Sequence, residues 1–319
     1  MKLGTVERGG VPRLAISKGD AVAVIDDDDL TVAAAIADWT GLRPVIEARA
    51  ETAPTYPPEE LDWLPPIPRP GKIVCLALNN SANKDRIMSG PEHPATFIKP
   101  ATALLGHRRT IELRTAYGRV HPEPELAVVI GSAGRQIAAT AAGEHVFGYT
   151  IVNDLTAPAM RGEDTFHYRA IHPGASPDEV RYVDTWVSYP GRYKGTDGFC
   201  PIGPWIVTRD EIADPHALTI SCRHRGHTVT EDSTANLRNK VPEVVAFISE
   251  YMTLEPGDII AMGTALKASA GGGRAVQNID LTATGGPIEV SIEGIGTLTS
   301  EVATIDAGSP PLANGRAAG

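Results

Sequence analysis

Between Gly71 and Ile305 the chain repeats one kind of segment, a short apolar run closed by glycine, proline or a polar residue. KIVCLAL, LAVVIG, GYTIVND, WIVT, LTISCRH, DIIAMGT, IEVSIEG and TLTSEVAT are all of this kind. Apolar runs of that length bounded by turn residues read as strands. Two stretches stand out with helical apolar spacing, roughly Ala138 to Val146 and Pro242 to about Leu254. Helices that do not alternate with strands argue against a doubly wound parallel sheet, so the prediction is a β-rich α+β domain. The 32 glycines and 26 prolines supply the turns this needs, and aromatic residues at 5% leave a mostly aliphatic core.

The N-terminal part has a different texture. Alternating runs at Arg13 to Ser17 and Ala21 to Ile25 suggest hairpins, and Leu30 to Trp39 has helical spacing. Residues 53–70 (APTYPPEELDWLPPIPRP) carry seven prolines. Proline removes a backbone donor and fixes φ, which predicts a connector without regular structure. The expected layout is a small N-terminal domain with its connector at 1–66, a catalytic domain at 67–305, and a disordered tail at 306–319.

Charge and cysteine usage narrow the function. With 29 basic against 39 acidic residues the formal charge is -10, which disfavours nucleic acid as a partner. The apolar run Ile73 to Leu78 is far short of the roughly 20 residues a membrane span needs. The start MKLGTVERGG shows no apolar h-region, so no signal peptide is expected. Cys75, Cys200 and Cys222 lack paired spacing and read as reduced thiols of a cytoplasmic protein.

Several chemistries find no motif: G-x-S-x-G, H-E-x-x-H and the P-loop are missing, and the glycines at 271–273 make no dinucleotide fingerprint. Cys222, His224 and His227 are zinc-like by type but straddle Arg225-Gly226, the expected turn of a hairpin that would send them apart. The Asp26 to Asp29 run reads as a solvated turn, since adjacent acids do not converge on one point.

The segment HPEPELAVVIG is different. Glu123 and Glu125 sit at i and i+2 ahead of an apolar strand, so they share a face. Two carboxylates that close need a cation or a proton between them. Asp154 ends the strand GYTIVND and offers a third oxygen donor. Three hard oxygens suit Mg²⁺ or Mn²⁺; surface acids flanking two strands are the alternative.

Ordered blocks now carry a resemblance: GKIVCLALN (71–79), ATFIKPATALLG (95–106), EPELAVVIG (123–131), GYTIVND (148–154), YKGTDGFCPIGPWIVT (193–208), LEPGDIIAMGT (254–264) and IEGIGTLTSEV (292–302). Together they cover most of 71–305, and the chain resembles the fumarylacetoacetate hydrolase family. The resemblance implies an α+β, β-rich mixed β-sandwich roll, a homodimer, and a small-molecule 2-oxo or diketo acid substrate. It places Mg²⁺ or Mn²⁺ on Glu123, Glu125 and Asp154. It makes Lys194 catalytic, as the cation that stabilises a developing enolate; for dehydration or tautomerisation Lys194 is also a candidate proton shuttle if the neighbouring metal depresses its pKa. Lys99, Gly263, Thr264 and Arg161 become substrate-binding candidates.

There are departures from the family pattern. Its His/Glu lid pair falls on Asn83 and Arg86, neither a good general base. Pro158 stands where an arginine is usual, and Arg161 is the substitute. His121, which would share the face of Glu123, His93, and His167 and His172 in the extra segment 161–192 are replacement bases or structural residues. That segment is either a lid or a dimer edge. The expected reaction is hydrolysis of a C–C bond in an acylpyruvate-like acid of aromatic or sugar-acid catabolism. Isomerisation, decarboxylation or dehydration at the same site is the alternative, and a metal–2-oxo acid binder of weak activity is the third reading.

Overall fold

The computed structural model describes residues 1–266, 276–306 and 308. Glycines 271–273, and the expected tail except residues 306 and 308, lie outside the described residues. The chain opens with strands β1 (Lys2–Arg8), β2 (Val11–Lys18) and β3 (Ala21–Ile25), an antiparallel meander. Helices α1 (Val32–Ala37) and α2 (Trp39–Thr52) follow. Thr31 caps the first through Ala34 N–H and Asp38 caps the second through Gly41 N–H, each at 3.0 Å. The helical spacing of Leu30 to Trp39 thus marks only the beginning of the helical region. The α2 helix escapes the sequence reading because Ile46 and Ala50 are its only buried residues, too sparse to mark an apolar face.

The proline-rich connector contains two short strands, β4 (Thr55–Tyr56) and β5 (Asp62–Leu64), and β5 pairs with β1. This corrects the expectation of no regular structure there: β5 itself holds no proline, so its donors are intact. Next come β6 (Ile73–Ala77), β7 (Ala95–Lys99), β8 (Leu104–Leu105), β9 (Thr110–Arg114), β10 (Pro124–Ile130) and β11 (Val146–Asn153). The stretch expected to be helical before β11 is a 3₁₀ helix, Ala139–His145. Helix α3 (Pro158–Glu163) leads into a long hairpin, β12 (Thr165–Pro173) and β13 (Val180–Ser188), which α4 (Arg192–Gly195) closes. The chain continues through β14 (Cys200–Pro201), β15 (Ile206–Thr208), β16 (Thr219–His224), β17 (His227–Ser233) and helix α5 (Val241–Tyr251). It ends in β18 (Ile259–Ala261), α6 (Leu281–Thr284), β19 (Ile288–Ile292) and β20 (Gly296–Ile305).

Two mixed sheets form the body. The larger runs β4-β3-β2-β1-β15-β11-β10-β18-β6-β7, with β5 also on β1; the smaller runs β17-β16-β19-β20-β9. Alternate residues of β10 serve different cores. Leu126, Val128 and Ile130 bury against Ile111, Ile220, Val290 and Leu298 of the smaller sheet. Ala127 and Val129 bury on the other face with Leu3, Ile36, Ile46 and Ile206. A strand covered on both faces reads as a continuous apolar run, which is why ELAVVI shows no alternation. The sandwich predicted from the family resemblance is present.

The expected boundary at residue 66 runs across a continuous sheet. Leu3 pairs with Ile206, and the N-terminal strands and helices cover the outer face of the sheet that carries β10 and β11. Among the described residues, no helix is long and apolar enough to cross a membrane.

Candidate active site

Strand register assembles the site. Strands β10 and β11 are antiparallel, with Pro124 opposite Asn153 and Glu125 opposite Val152. Residue 123 therefore falls beside residue 154, and Asp154 N–H donates to Glu123 O at 2.9 Å. Asn153 Oδ1 accepts from Glu123 N–H, also at 2.9 Å, and fixes the backbone from which the first carboxylate projects.

One carboxylate oxygen each from Glu123, Glu125 and Asp154 lies within 4.8 Å of the other two. Among the described residues this is the one cluster of such donors that converges. Two lysines face it. Lys194 Nζ lies 2.7 Å from Glu123 Oε2 and 2.5 Å from Asp154 Oδ2. Lys99 Nζ lies 2.7 Å from Asp154 Oδ1 and donates to Phe199 O at 2.9 Å and to Lys194 O.

The electrostatics follow from burial and charge count. Burial would raise Glu123, but Lys194 and then His121 outweigh it and bring its pKa down to about 2. Glu125 goes the other way: burial, then Asp154, then Glu123 push it well above the carboxylate range. Burial alone would lower Lys194, yet Asp154, Glu123 and Glu125 together raise it. These carboxylates thus hold Lys194 as an ammonium. Two ammonium groups do not neutralise three carboxylates, and Glu125 carries the deficit. A divalent cation fits that deficit, and the all-oxygen donor set suits Mg²⁺ or Mn²⁺.

The remaining candidates fall in different places. Gly263 N–H is given to Glu125 Oε2 at 2.8 Å, so it orients a carboxylate of the cluster rather than facing a substrate. Its φ of +96° and an Asn79 Cβ that would lie 2.8 Å from an added Cβ explain why glycine stands there. Thr264 Oγ1 donates to Ala265 O at 3.1 Å, next to the cluster. Lys99, also expected to face substrate, is 1% exposed and pairs with Asp154. Arg161 is on α3, exposed, and pairs with no carboxylate among the described residues.

Asn83 and Arg86 lie on a 3₁₀ helix, Ser81–Arg86, where Asn83 Oδ1 accepts from Arg86 at 3.2 Å. His121 Nε2 is 3.2 Å from Glu123 Oε1, so the histidine joins the cluster as the shared-face argument expected. His167 stacks on Trp186 at 4.1 Å in the hairpin, and His93 stacks on Phe247 at 5.1 Å, so both are packed as ring partners. Cys222 and His224 are buried while His227 is exposed, and these three do not converge. Arg13 takes both Asp26 and Asp28, and Arg49 lies 3.7 Å from Asp27, so the aspartate run splits among surface partners.

Two supporting asparagines escaped the sequence reading, Asn153 and Asn79. Asn79 Nδ2 donates to Met262 O at 2.8 Å and its Oδ1 accepts from Asn239 N–H at 2.8 Å, locking β6 to the Gly263 strand end. Their signal was position: Asn79 ends the block GKIVCLALN, and Asn153 directly precedes the carboxylate Asp154.

The family model for the fumarylacetoacetate (FAA) hydrolase C-terminal domain matches residues 72–303. The chain is 33% identical over 261 residues to oxaloacetate tautomerase FAHD2A, mitochondrial, of Bos taurus, covering 79% of this chain and 76% of that one. Its fold is similar to maleylpyruvate hydrolase from Sphingobium sp. SYK-6, solved in complex with manganese(II) and pyruvate. That match has a TM-score of 0.71, 28% identity, and covers 95% of this chain and 99% of that one. It is also similar to 5-carboxymethyl-2-hydroxymuconate delta-isomerase from Mycobacterium smegmatis, at a TM-score of 0.66 and 27% identity, covering 96% of this chain and 100% of that one.

Proposed function

The chain belongs to the fumarylacetoacetate hydrolase family, and from that premise we propose that it is a divalent-metal-dependent isomerase of a small 2-oxo or diketo acid, moving a proton between its keto and enol forms. The observation that carries this reading is the buried carboxylate cluster with its lysine, set beside a 3₁₀ helix that offers no water-activating base. Glu123, Glu125 and Asp154 hold Mg²⁺ or Mn²⁺ in this proposal. A bound ion supplies Lewis-acid charge for the carboxylate and 2-oxo oxygens of the substrate. Lys194 adds a preorganised positive charge where negative charge develops on the substrate. Gly263 N–H and Lys99 keep Glu125 and Asp154 aimed inward. Isomerisation asks for charge stabilisation and proton transfer, for which the imidazole of His121, 3.2 Å from Glu123 Oε1, is at hand, whereas C–C hydrolysis asks in addition for an activated water. Asn83 and Arg86 bond to each other and supply no such base.

C–C bond hydrolysis, the reaction expected from sequence, is the second reading, favoured by the likeness to maleylpyruvate hydrolase. The test follows enol-to-keto conversion of oxaloacetate and loss of acylpyruvate absorbance, with Mg²⁺, Mn²⁺ or EDTA, for wild type and Asp154→Asn. Metal-dependent conversion that Asp154→Asn abolishes supports isomerisation; acid products from the acylpyruvate support hydrolysis. Full activity in EDTA, or in Asp154→Asn, removes the metal assignment. Metal-dependent binding without turnover supports the weak binding relative.

A homodimer belongs to the same proposal, with the β12–β13 hairpin as its arm. That hairpin pairs with no other strand among the described residues and exposes Phe166, Ile171, Tyr182 and Trp186. An apolar surface of this kind marks an interaction site. The arm is rooted at the site: Arg192 in α4, two residues before Lys194, ties back to Glu163 at 2.6 Å and Asp164 at 2.8 Å. The proposed compartment is the cytoplasm, on the ground of three buried unpaired thiols.

A further inference from the structure

The hairpin of β16 and β17 turns at Arg225-Gly226, and its register makes His224 and His227 a directly opposed pair. Directly opposed residues share one face of a hairpin, with Cβ atoms about 4.5–5.5 Å apart. For these two residues, this corrects the expectation that the turn sends them apart. Cys222 leaves the group by burying in the core. Both histidines line a cavity of about 500 Å³, and Asp280 and Thr284, at the two ends of α6, line it as well. The cavity shares no residue with the carboxylate cluster.

The donors here are set up for a cation. His224 is buried, and its Nε2 lies 2.8 Å from Gly285 O. A carbonyl only accepts, so the ring proton sits on Nε2 and Nδ1 keeps its lone pair. That Nδ1 has no hydrogen-bond partner among the described residues. An imidazole held by a backbone carbonyl through one nitrogen is oriented to bind a metal through the other. His227 is exposed and without a partner among the described residues, so its ring is free to rotate. Asp280 Oδ1 caps α6 through Ala283 N–H at 3.2 Å, and the carboxylate pairs with no cation among the described residues. Arg225, the cation on this rim, turns its guanidinium onto Thr284 O at 3.5 Å. The three donors do not converge as the carboxylates of the cluster do, and rotation of His227 is the movement that closes the site.

We propose that His224, His227 and Asp280 form a second metal site, one that takes a borderline transition-metal ion such as Zn²⁺. Two imidazole nitrogens and one carboxylate, completed by water, suit that class of ion, whereas Mg²⁺ prefers oxygen alone. An ion there ties the β16–β17 turn to α6. Leu281 N–H of α6 donates to Val120 O at 2.8 Å, so the ion braces the chain just before it enters the carboxylate cluster.

The experiment is calorimetric titration of Zn²⁺ into the full chain with Mg²⁺ in excess. Wild type is compared with His227→Ala, His224→Gln and Asp154→Asn. Alanine at 227 removes no contact, and glutamine at 224 keeps an N–H for Gly285 O. Wild type and Asp154→Asn are expected to bind the same single Zn²⁺ equivalent. His227→Ala and His224→Gln should each weaken it about ten-fold or more. One equivalent of Cu²⁺ should show nitrogen hyperfine splitting in the EPR spectrum of wild type, reduced in His227→Ala. Zn²⁺ affinity unchanged in His227→Ala marks adventitious binding and overturns the proposal. A Zn²⁺ equivalent that Asp154→Asn removes belongs to the carboxylate cluster and overturns it too, as does the absence of Zn²⁺ binding to wild type.

Discussion

Replacing Lys99 with methionine tests the charge balance of the site directly. Lys99 Nζ is buried, 2.7 Å from Asp154 Oδ1, and donates to Phe199 O and Lys194 O. Methionine has a similar length and volume, so the change removes charge and donors with little loss of packing. It leaves a buried carboxylate short of one of its two lysines, and two backbone carbonyls short of a donor. Breaking a buried ion pair from one side costs about 3–5 kcal/mol. The lost donor to Lys194 O adds to this, whereas Phe199 O keeps Leu155 N–H at 3.1 Å, and Asp154 keeps Lys194 at 2.5 Å and so loses less than a fully stranded charge would. The two corrections oppose each other, and about 3–5 kcal/mol remains the expected loss. At roughly 2 °C per kcal/mol for a chain of this size, the melting point falls by about 6–10 °C. Saturating Mg²⁺ should narrow the gap, because the ion restores positive charge beside Asp154. Urea unfolding followed by tryptophan fluorescence, in EDTA and in Mg²⁺, measures both effects. A Lys99→Met protein within about 1 kcal/mol of wild type in EDTA refutes the buried-pair account. A gap that Mg²⁺ leaves unchanged refutes the link between Lys99 and the metal cluster.

Gly263→Ala combines a φ of +96° with a contact 2.8 Å from Asn79 Cβ, so the backbone must shift and the N–H leaves Glu125. Metal affinity is expected to fall by about ten-fold or more, read by Mn²⁺ titration, and an unchanged affinity counts against the orienting role. His107 is buried against Trp63, its Nδ1 accepts from Thr299 N–H at 3.1 Å, and burial followed by Arg108 lowers its pKa to about 4. The folded state keeps it neutral while the unfolded chain takes up a proton below its ordinary value. Its contribution is intact above pH 6.5 and lost as pH falls toward 4, about 3 kcal/mol in all. His107→Gln should flatten that part of the stability–pH curve, and an unchanged slope places the effect elsewhere. For the hairpin arm, Tyr182→Glu/Trp186→Glu is expected to yield monomers in sedimentation velocity, and an intact dimer moves the interface off the arm.

The legible parts of the fold were those written in short-range pattern. The apolar runs became β6, β10, β11, β15, β16, β18, β19 and β20. Glu123 and Glu125 were readable as a pair because period two is a local property of extended chain. The hairpin at Arg225-Gly226 was readable because a glycine stood between two strand-like runs, and the structure puts both turn residues at positive φ, 51° and 78°. Less apolar strands such as β9 and β12 gave too weak a pattern, and α2 hid its helix behind two buried residues.

The sequence by itself determined the strand-rich class, the carboxylate pair and the family, because each is carried by neighbouring residues or by ordered blocks. Only the tertiary structure decided that Lys99 lies behind Asp154, that Gly263 serves Glu125, and that β1 extends the sheet carrying the site. Those contacts join residues far apart in the chain, as with Gly263 and Glu125, 138 positions apart. Local pattern says which face of a strand is apolar; which strands become neighbours, and which charges then meet, is settled when non-local surfaces pack together.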